Sequence, residues 1–164
     1  MSWQSEMVTL VRHLVDDLGS PYTYSDDRIQ QAIAVSAQLV ISEINFESVY
    51  TVKLDCPTIS PDPTVSSNKD DGFINLVSIK AGCIILGSQI RTEAAKSISV
   101  TDGPSSINMG GNFKGIEIVY KNLCDKFEEM KMQHKTDGSM GTAIFTPYSP
   151  GSDVVRSYTR DSLI

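Results

Sequence analysis

Apolar residues recur at helical spacing in four separate stretches of this chain. From about residue 4 to 18, Val8, Val11, Leu14, Val15 and Leu18 return at steps of three and four, which predicts a first helix. Gly19 is expected to stop it, and Ser20-Pro21 opposes its continuation. Ser25 then offers an N-cap, with Asp26 and Asp27 placing negative charge at the positive end of the next helix. That second helix is expected to reach about residue 44, with Ile29, Ile33, Ala37, Val40 or Ile41, and Ile44 on one face. The pattern then changes period. Residues 49–54 alternate as a strand does, and 58–60 supply a short partner that Pro57, Pro61 and Pro63 confine to an edge. Asp70-Asp71-Gly72 opens a third helix over about 72–94. It is apolar nearly all round, so it belongs in the middle of a domain. Gly82 and Gly87 each weaken it by roughly 1 kcal/mol relative to Ala, a cost that close approach of a neighbouring helix would offset. The fourth helix, about 112–135, carries Ile116, Tyr120, Leu123, Phe127, Met130 and His134 as a narrow seam with charged residues elsewhere.

The expected fold is therefore mainly α: a four-helix bundle with a small β-hairpin between helices 2 and 3. A long loop joins helices 3 and 4, and an extended C-terminal arm follows. The bundle takes residues 1–138 and the arm 139–164. The loop, about 95–112, is long for a compact helical domain, and such loops are usually functional. Ile98 and Val100 suit a short extended segment, Asp102-Gly103 is turn chemistry, and Gly110-Gly111 permits positive φ. The arm contains Ile144, Phe145, Tyr148, Val154, Val155, Tyr158, Leu163 and Ile164. Burying them yields on the order of 16 kcal/mol. Ordering the arm costs on the order of 26 kcal/mol or more. Side-chain burial does not close that gap, whereas strand pairing with a partner would, through residues 142–146 and 154–155.

At 164 residues the chain is about one domain long, with 40% apolar and 21% charged residues, which disfavours global disorder. The longest apolar run, residues 83–86, is too short to span a bilayer, and the N-terminus lacks the pattern of a secretory signal. Three widely spaced cysteines read as reduced thiols, with Cys83 and Cys124 as small core residues. A net charge of −6 argues against a surface whose task is to hold nucleic acid.

Chemistry is poorly represented. His13 and His134 lie in different helices without a second ligand at metal spacing. Residues 110–115 are glycine-rich but lack the Gly-Lys-Ser/Thr of a phosphate-binding loop. Four acidic doublets occur, Asp16-Asp17, Asp26-Asp27, Asp70-Asp71 and Glu128-Glu129. Adjacent helical residues point apart, and two of the doublets sit where caps need negative charge. No catalytic residue, metal or cofactor is assigned. A DNA-reading second helix is disfavoured, because Arg28, Gln30 and Gln31 are all it offers to a groove.

Taken in order, the chain resembles phage head–tail connectors of the adaptor type. The resemblance rests on residues 16–19 with 24–27, the hairpin over 49–59, the buried third helix, and residues 97–108 leading into the charged last helix. It covers about residues 5–137. It implies a structural, non-enzymatic virion protein at the neck, present in host cytoplasm during assembly. It further implies a ring of about twelve copies docked on the portal protein and lining the channel for genomic DNA without binding it specifically. The next tail or neck component (stopper, nozzle or tail tube) is the other partner, and no membrane is involved. Carried onto this chain, Asp102, Gly103, Ile107, Asn108, Gly110 and Gly111 form a loop facing a neighbouring subunit or the tail. Ile144, Phe145, Tyr148, Val154, Val155, Tyr158 and Leu163 form the portal-binding arm. The alternatives are a stopper or tail-completion protein of the same neck, or a small helical enzyme using acidic residues.

Overall fold

The computed structural model describes residues 2–67, 69–96, 100–102, 105–107 and 111–137. The chain divides into two compact units, Met1–Lys131 and Met132–Ile164. Among the described residues the first unit is built on α1 (Trp3–Leu14), α2 (Asp26–Glu43), α3 (Asp71–Lys96) and most of α4 (Gly111–Asp137). Two hairpins interrupt them, β1 (Thr51–Lys53) with β2 (Thr58–Ser60), and β3 (Val100–Asp102) with β4 (Ser105–Ile107). The fold is mainly helical with an antiparallel hairpin between the second and third helices, as the residue pattern predicts. The described residues of the second unit are the last turns of α4, where the Thr136 hydroxyl donates back to the Met132 and Gln133 carbonyls.

α1 buries Trp3, Met7, Val8 and Val11, but it ends at Leu14 rather than running to residue 18. Asp16 adopts a left-handed φ of 56°, and the Asp17 N–H returns to the Arg12 carbonyl at 3.0 Å. This six-residue closure satisfies an end carbonyl of the helix, with aspartate in the place glycine usually holds. Gly19 therefore lies beyond the stop, and Leu18 is 52% exposed instead of completing the apolar face. α2 starts where expected, since the Ser25 side chain accepts from the Arg28 N–H. Its buried stripe runs through Ile29, Ile33, Ala37 and Val40 to Ile44.

The first hairpin pairs Val52 with Ile59 and packs against α2. Asp70 then opens α3 from both of its oxygens: one accepts the Phe73 N–H at 2.9 Å, the other the Tyr50 hydroxyl at 2.9 Å. The second contact ties the hairpin's entrance to the start of the central helix. Phe46, Tyr50 and Phe73 complete this corner, with the Tyr50 and Phe73 rings stacked at 3.9 Å. Burial pushes the Tyr50 phenol up to about 12, helped by its hydrogen bond to the Asp70 carboxylate.

α3 packs against α1 and α2 and buries Phe73, Ile74, Leu76, Val77, Ile79 and Ala81. No uninterrupted apolar run in it is long, but an 18-residue window of this helix has a mean hydropathy of 1.6 and would suffice to cross a membrane by length and composition. In this fold 61% of that window is buried, as befits a core helix. α4 meets α3 through the expected seam, with Leu123 and Phe127 buried and Ile116, Tyr120 and Met130 packed on the same core. The two glycines make this approach possible. A Cβ on Gly82 would lie 2.7 Å from Leu123 Cδ2, and one on Gly87 would lie 3.3 Å from the Tyr120 ring. At the other end of the seam, Phe127 sits between Lys80 and Lys131, whose ammonium groups lie 4.4 and 5.4 Å from its ring centroid. Lys131 donates to Glu43 at 3.0 Å, so the last residue of α2 holds α4 in place.

These contacts predict opposite effects of two glycine replacements. Gly82→Ala gains about 1 kcal/mol of helix propensity. It loses more by displacing Leu123, because overpacking costs about 1–3 kcal/mol. Gly115→Ala meets nothing within 4 Å and should stabilise α4 by up to about 1 kcal/mol. Thermal unfolding of both variants reads the two signs directly.

Candidate interaction surface

The corner between α1 and α2 holds the densest set of charges in the described core. Arg12 is 7% exposed, and its guanidinium donates to Asp17 Oδ2 at 2.6 Å, to Asp26 Oδ1 at 2.5 Å and to the Tyr24 carbonyl at 3.0 Å. The exposed Tyr22 ring covers it, with the guanidinium carbon 3.9 Å from the ring centroid. Asp17 also accepts the backbone N–H groups of Thr23 and Tyr24. Burial raises the Asp17 carboxyl. The Thr23 and Tyr24 donors and the Arg12 charge outweigh it and hold the group below its usual value. Tyr24 extends the corner to α3 by donating its hydroxyl to Gln89 Oε1 at 2.9 Å.

This geometry decides what two of the acidic doublets do. Asp17 and Asp26 converge, but on a guanidinium that occupies the space between them, which is charge neutralisation and not a cleft for substrate. Asp70 caps α3, Asp71 lies 3.5 Å from Lys69, and Glu128 lies 2.5 Å from Lys131. Among the described residues no group of three or more His, Cys, Asp or Glu side chains is placed to hold a metal ion. His13 is exposed on α1, and His134 lies in the last turn of α4. Cys83 is buried, and burial together with the neighbouring Cys124 thiol pushes its own thiol up, so it stays protonated.

The chain's sequence-assigned contact residues fall mainly outside this core. Asp102 closes β3 and pairs with Ser105, Ile107 closes β4 opposite Val100, and Gly111 is the first residue of α4. The loop thus carries a two-stranded ladder where only a short extended segment was expected. Gly103, Asn108 and Gly110 lie outside the described residues, as do Ile144, Phe145, Tyr148, Val154, Val155, Tyr158 and Leu163 of the arm.

Two outward surfaces were not anticipated from the pattern of the core. On α2, Val35 and Leu39 are each 41% exposed, four residues apart and off the buried stripe. Val35, with Arg28, Gln31, Ala32, Ile84 and Ile85, borders a groove of about 210 Å3 between α2 and α3. Val35 and Leu39 at i and i+4 were the available signal, since a second apolar pair beside the core stripe marks a second contact. On α4, Ile118 and Val119 are 59% and 49% exposed, away from the Tyr120–Leu123–Phe127 seam. A smaller hollow of about 150 Å3 lies beside the aromatic corner, bordered by Ile41, Phe46 and Val49.

Fold and surface together define a mainly α protein that, among the described residues, exposes aliphatic side chains on α2 and α4. The chain matches no protein-family model, no curated protein and no solved structure.

The Asp17 network makes stability depend on acid. Its folded-state carboxyl is depressed, so its contribution is fully present above the unfolded value near 3.9 and is lost as pH falls through the folded value. Asp17→Asn should cost about 3 kcal/mol by leaving Arg12 undercompensated. It should also flatten the loss of stability as the pH falls below about 4. Denaturant titrations across that range measure both effects.

Proposed function

We propose that this protein is a structural component of a phage virion, an adaptor ring that joins the portal of the packaged head to the tail. The reading makes Asp102, Gly103, Ile107, Asn108, Gly110 and Gly111 the element that faces a neighbouring subunit or the next tail component. The arm over 139–164 reaches the portal through Ile144, Phe145, Tyr148, Val154, Val155, Tyr158 and Leu163. Genomic DNA passes through the ring without specific binding, and the net charge of −6 per copy would give a repelling collar.

The observation that carries the reading is the order of elements: helix, helix, hairpin, apolar central helix, hairpin-bearing connection, charged final helix. That order requires no catalytic cleft, and the converging carboxylates at the α1–α2 corner are consumed by Arg12. A protein partner finds exposed aliphatic side chains on two helices, Val35 and Leu39 on α2 and Ile118 and Val119 on α4. A ring also multiplies contacts that are weak individually, because a closed set of arms engages together.

The test uses the purified protein with portal-containing heads lacking their tails. The full chain is expected to bind those heads as a ring of about twelve copies, read by the mass of the bound species. A chain ending at residue 138 should unfold at nearly the same temperature yet fail to bind. Normal head binding by the truncated chain removes the arm assignment, and a full-length protein that never associates with heads removes the adaptor reading.

A further inference from the structure

The α2/α3 groove and the outward face of α4 are complementary in register. Along α2 the exposed face reads Arg28, Gln31, Val35, so the amide lies four residues and the cation seven residues before the apolar position. Along α4 the exposed face reads Ile118, Asn122, Asp125, with the amide four residues and the carboxylate seven residues after the apolar position. Helices rise about 1.5 Å per residue, so both series span about 10.5 Å. If two such helices pack antiparallel, setting Ile118 against Val35 brings Asn122 opposite Gln31 and Asp125 opposite Arg28. The three pairs are apolar with apolar, amide with amide, and anion with cation.

The surroundings agree with this pairing. Arg28 is exposed at the groove's mouth, where it donates to Ser88 Oγ at 3.2 Å and lies over the Tyr24 ring at 5.1 Å. It is thus held in position while its charge has no carboxylate partner among the described residues. Asp125 likewise makes no ion pair among them. Leu39, one turn beyond Val35, would meet the aliphatic stem of Lys114, four residues before Ile118. The two faces also use different sides of α3. Ile84, Ile85 and Ser88 border the groove, while Gly82 and Gly87 face α4.

We propose that the α2/α3 groove is the docking site for α4 of a second copy of this chain, packed antiparallel with Arg28 against Asp125. Each copy carries both a groove and a complementary helix face, on different sides of its core. The contact is therefore head-to-tail: it leaves one groove and one α4 face open at the ends and propagates until the rotation closes. This names the subunit contact of the proposed ring, and it rests on that reading only for closure at a defined copy number.

The experiment is a charge exchange in the full-length protein, read by solution mass over a range of concentrations. Wild type should associate beyond the dimer as concentration rises. Arg28→Asp and Asp125→Arg should each weaken association at least tenfold. Both positions are exposed, and circular dichroism and melting temperature should match wild type. An equimolar mixture of the two variants should recover association, because the groove altered by Arg28→Asp then receives the α4 face altered by Asp125→Arg, and the unaltered groove and face of the two chains also meet. A double variant should recover it as well. Wild-type protein that stays monomeric or stops at the dimer overturns the proposal, as do single variants that assemble normally or a mixture that remains dissociated. The outcomes separate from those for the adaptor reading. A protein that assembles this way but ignores portal-containing heads keeps the contact and loses the adaptor, while a monomer that binds heads does the reverse.

Discussion

A guanidinium sits 7% exposed at the junction of α1 and α2, and the surrounding chain is arranged to neutralise it. Arg12 needs anions and carbonyls within reach, and Asp17 can supply one only if α1 ends early and the backbone turns through Asp16. Once turned, Asp17 gathers the Thr23 and Tyr24 N–H groups, which fixes the approach to α2, and Asp26 completes the charge balance from the first turn of that helix. Tyr24 then reaches Gln89 on α3. One charge thus sets the end of one helix, the start of the next and their attachment to the central helix. Such pairs add little net stability over an apolar substitute, but they penalise other arrangements strongly, because any of them strands the charge.

α3 is the common surface for everything else. Its apolar residues face several directions, so α1 and α2 cover two sides and α4 a third. The α4 contact is made by side chains meeting two bare backbone positions. Gly82 and Gly87 admit Leu123 and Tyr120, and Phe127 fills the space between Lys80 and Lys131. This arrangement differs from α1 and α2, whose caps and ion pairs tie them into one unit. α4 is held by a narrow seam and by Lys131 on Glu43. The remaining surface of α4 is left to solvent or a partner, and it is there that Ile118 and Val119 are presented.

Among the described residues, several of the paired aspartates are engaged within the fold. Aspartates that look catalytic as doublets act as a helix cap at Asp70, an ion-pair partner at Asp71 and a charge sink at Asp17. The outward surface shows exposed aliphatic residues, Val35 and Leu39 on α2 and Ile118 on α4, flanked by amides and single charges. In the proposed contact such a surface would select its partner by register, since shifting one helix by a turn separates the charges and sets amide against aliphatic.

Local pattern sufficed for most of the architecture. The stripe from Ile29 to Ile44, the Ser25 and Asp70 caps, the short alternating strands and the α4 seam are each determined by neighbours a few residues away, and periodicity reports such neighbours directly. The glycine pair in α3 was also legible as an approach site, because a bare position inside a buried helix has few other uses. The end of α1 was not. Val15 and Leu18 continue the apolar period, but the helix stops at Leu14, where Asp16 turns left-handed and Asp17 returns to Arg12 through both its N–H and its carboxylate. The outward faces were hidden for a related reason. Val35 and Ile118 carry the same hydrophobic signal as their buried neighbours, and which of them stays uncovered depends on where the other helices run. Sequence by itself therefore determined the elements and their inner faces, which are properties of short range. Tertiary structure alone decided where the first helix stops, which carboxylates are spent on Arg12, and which apolar residues remain outside.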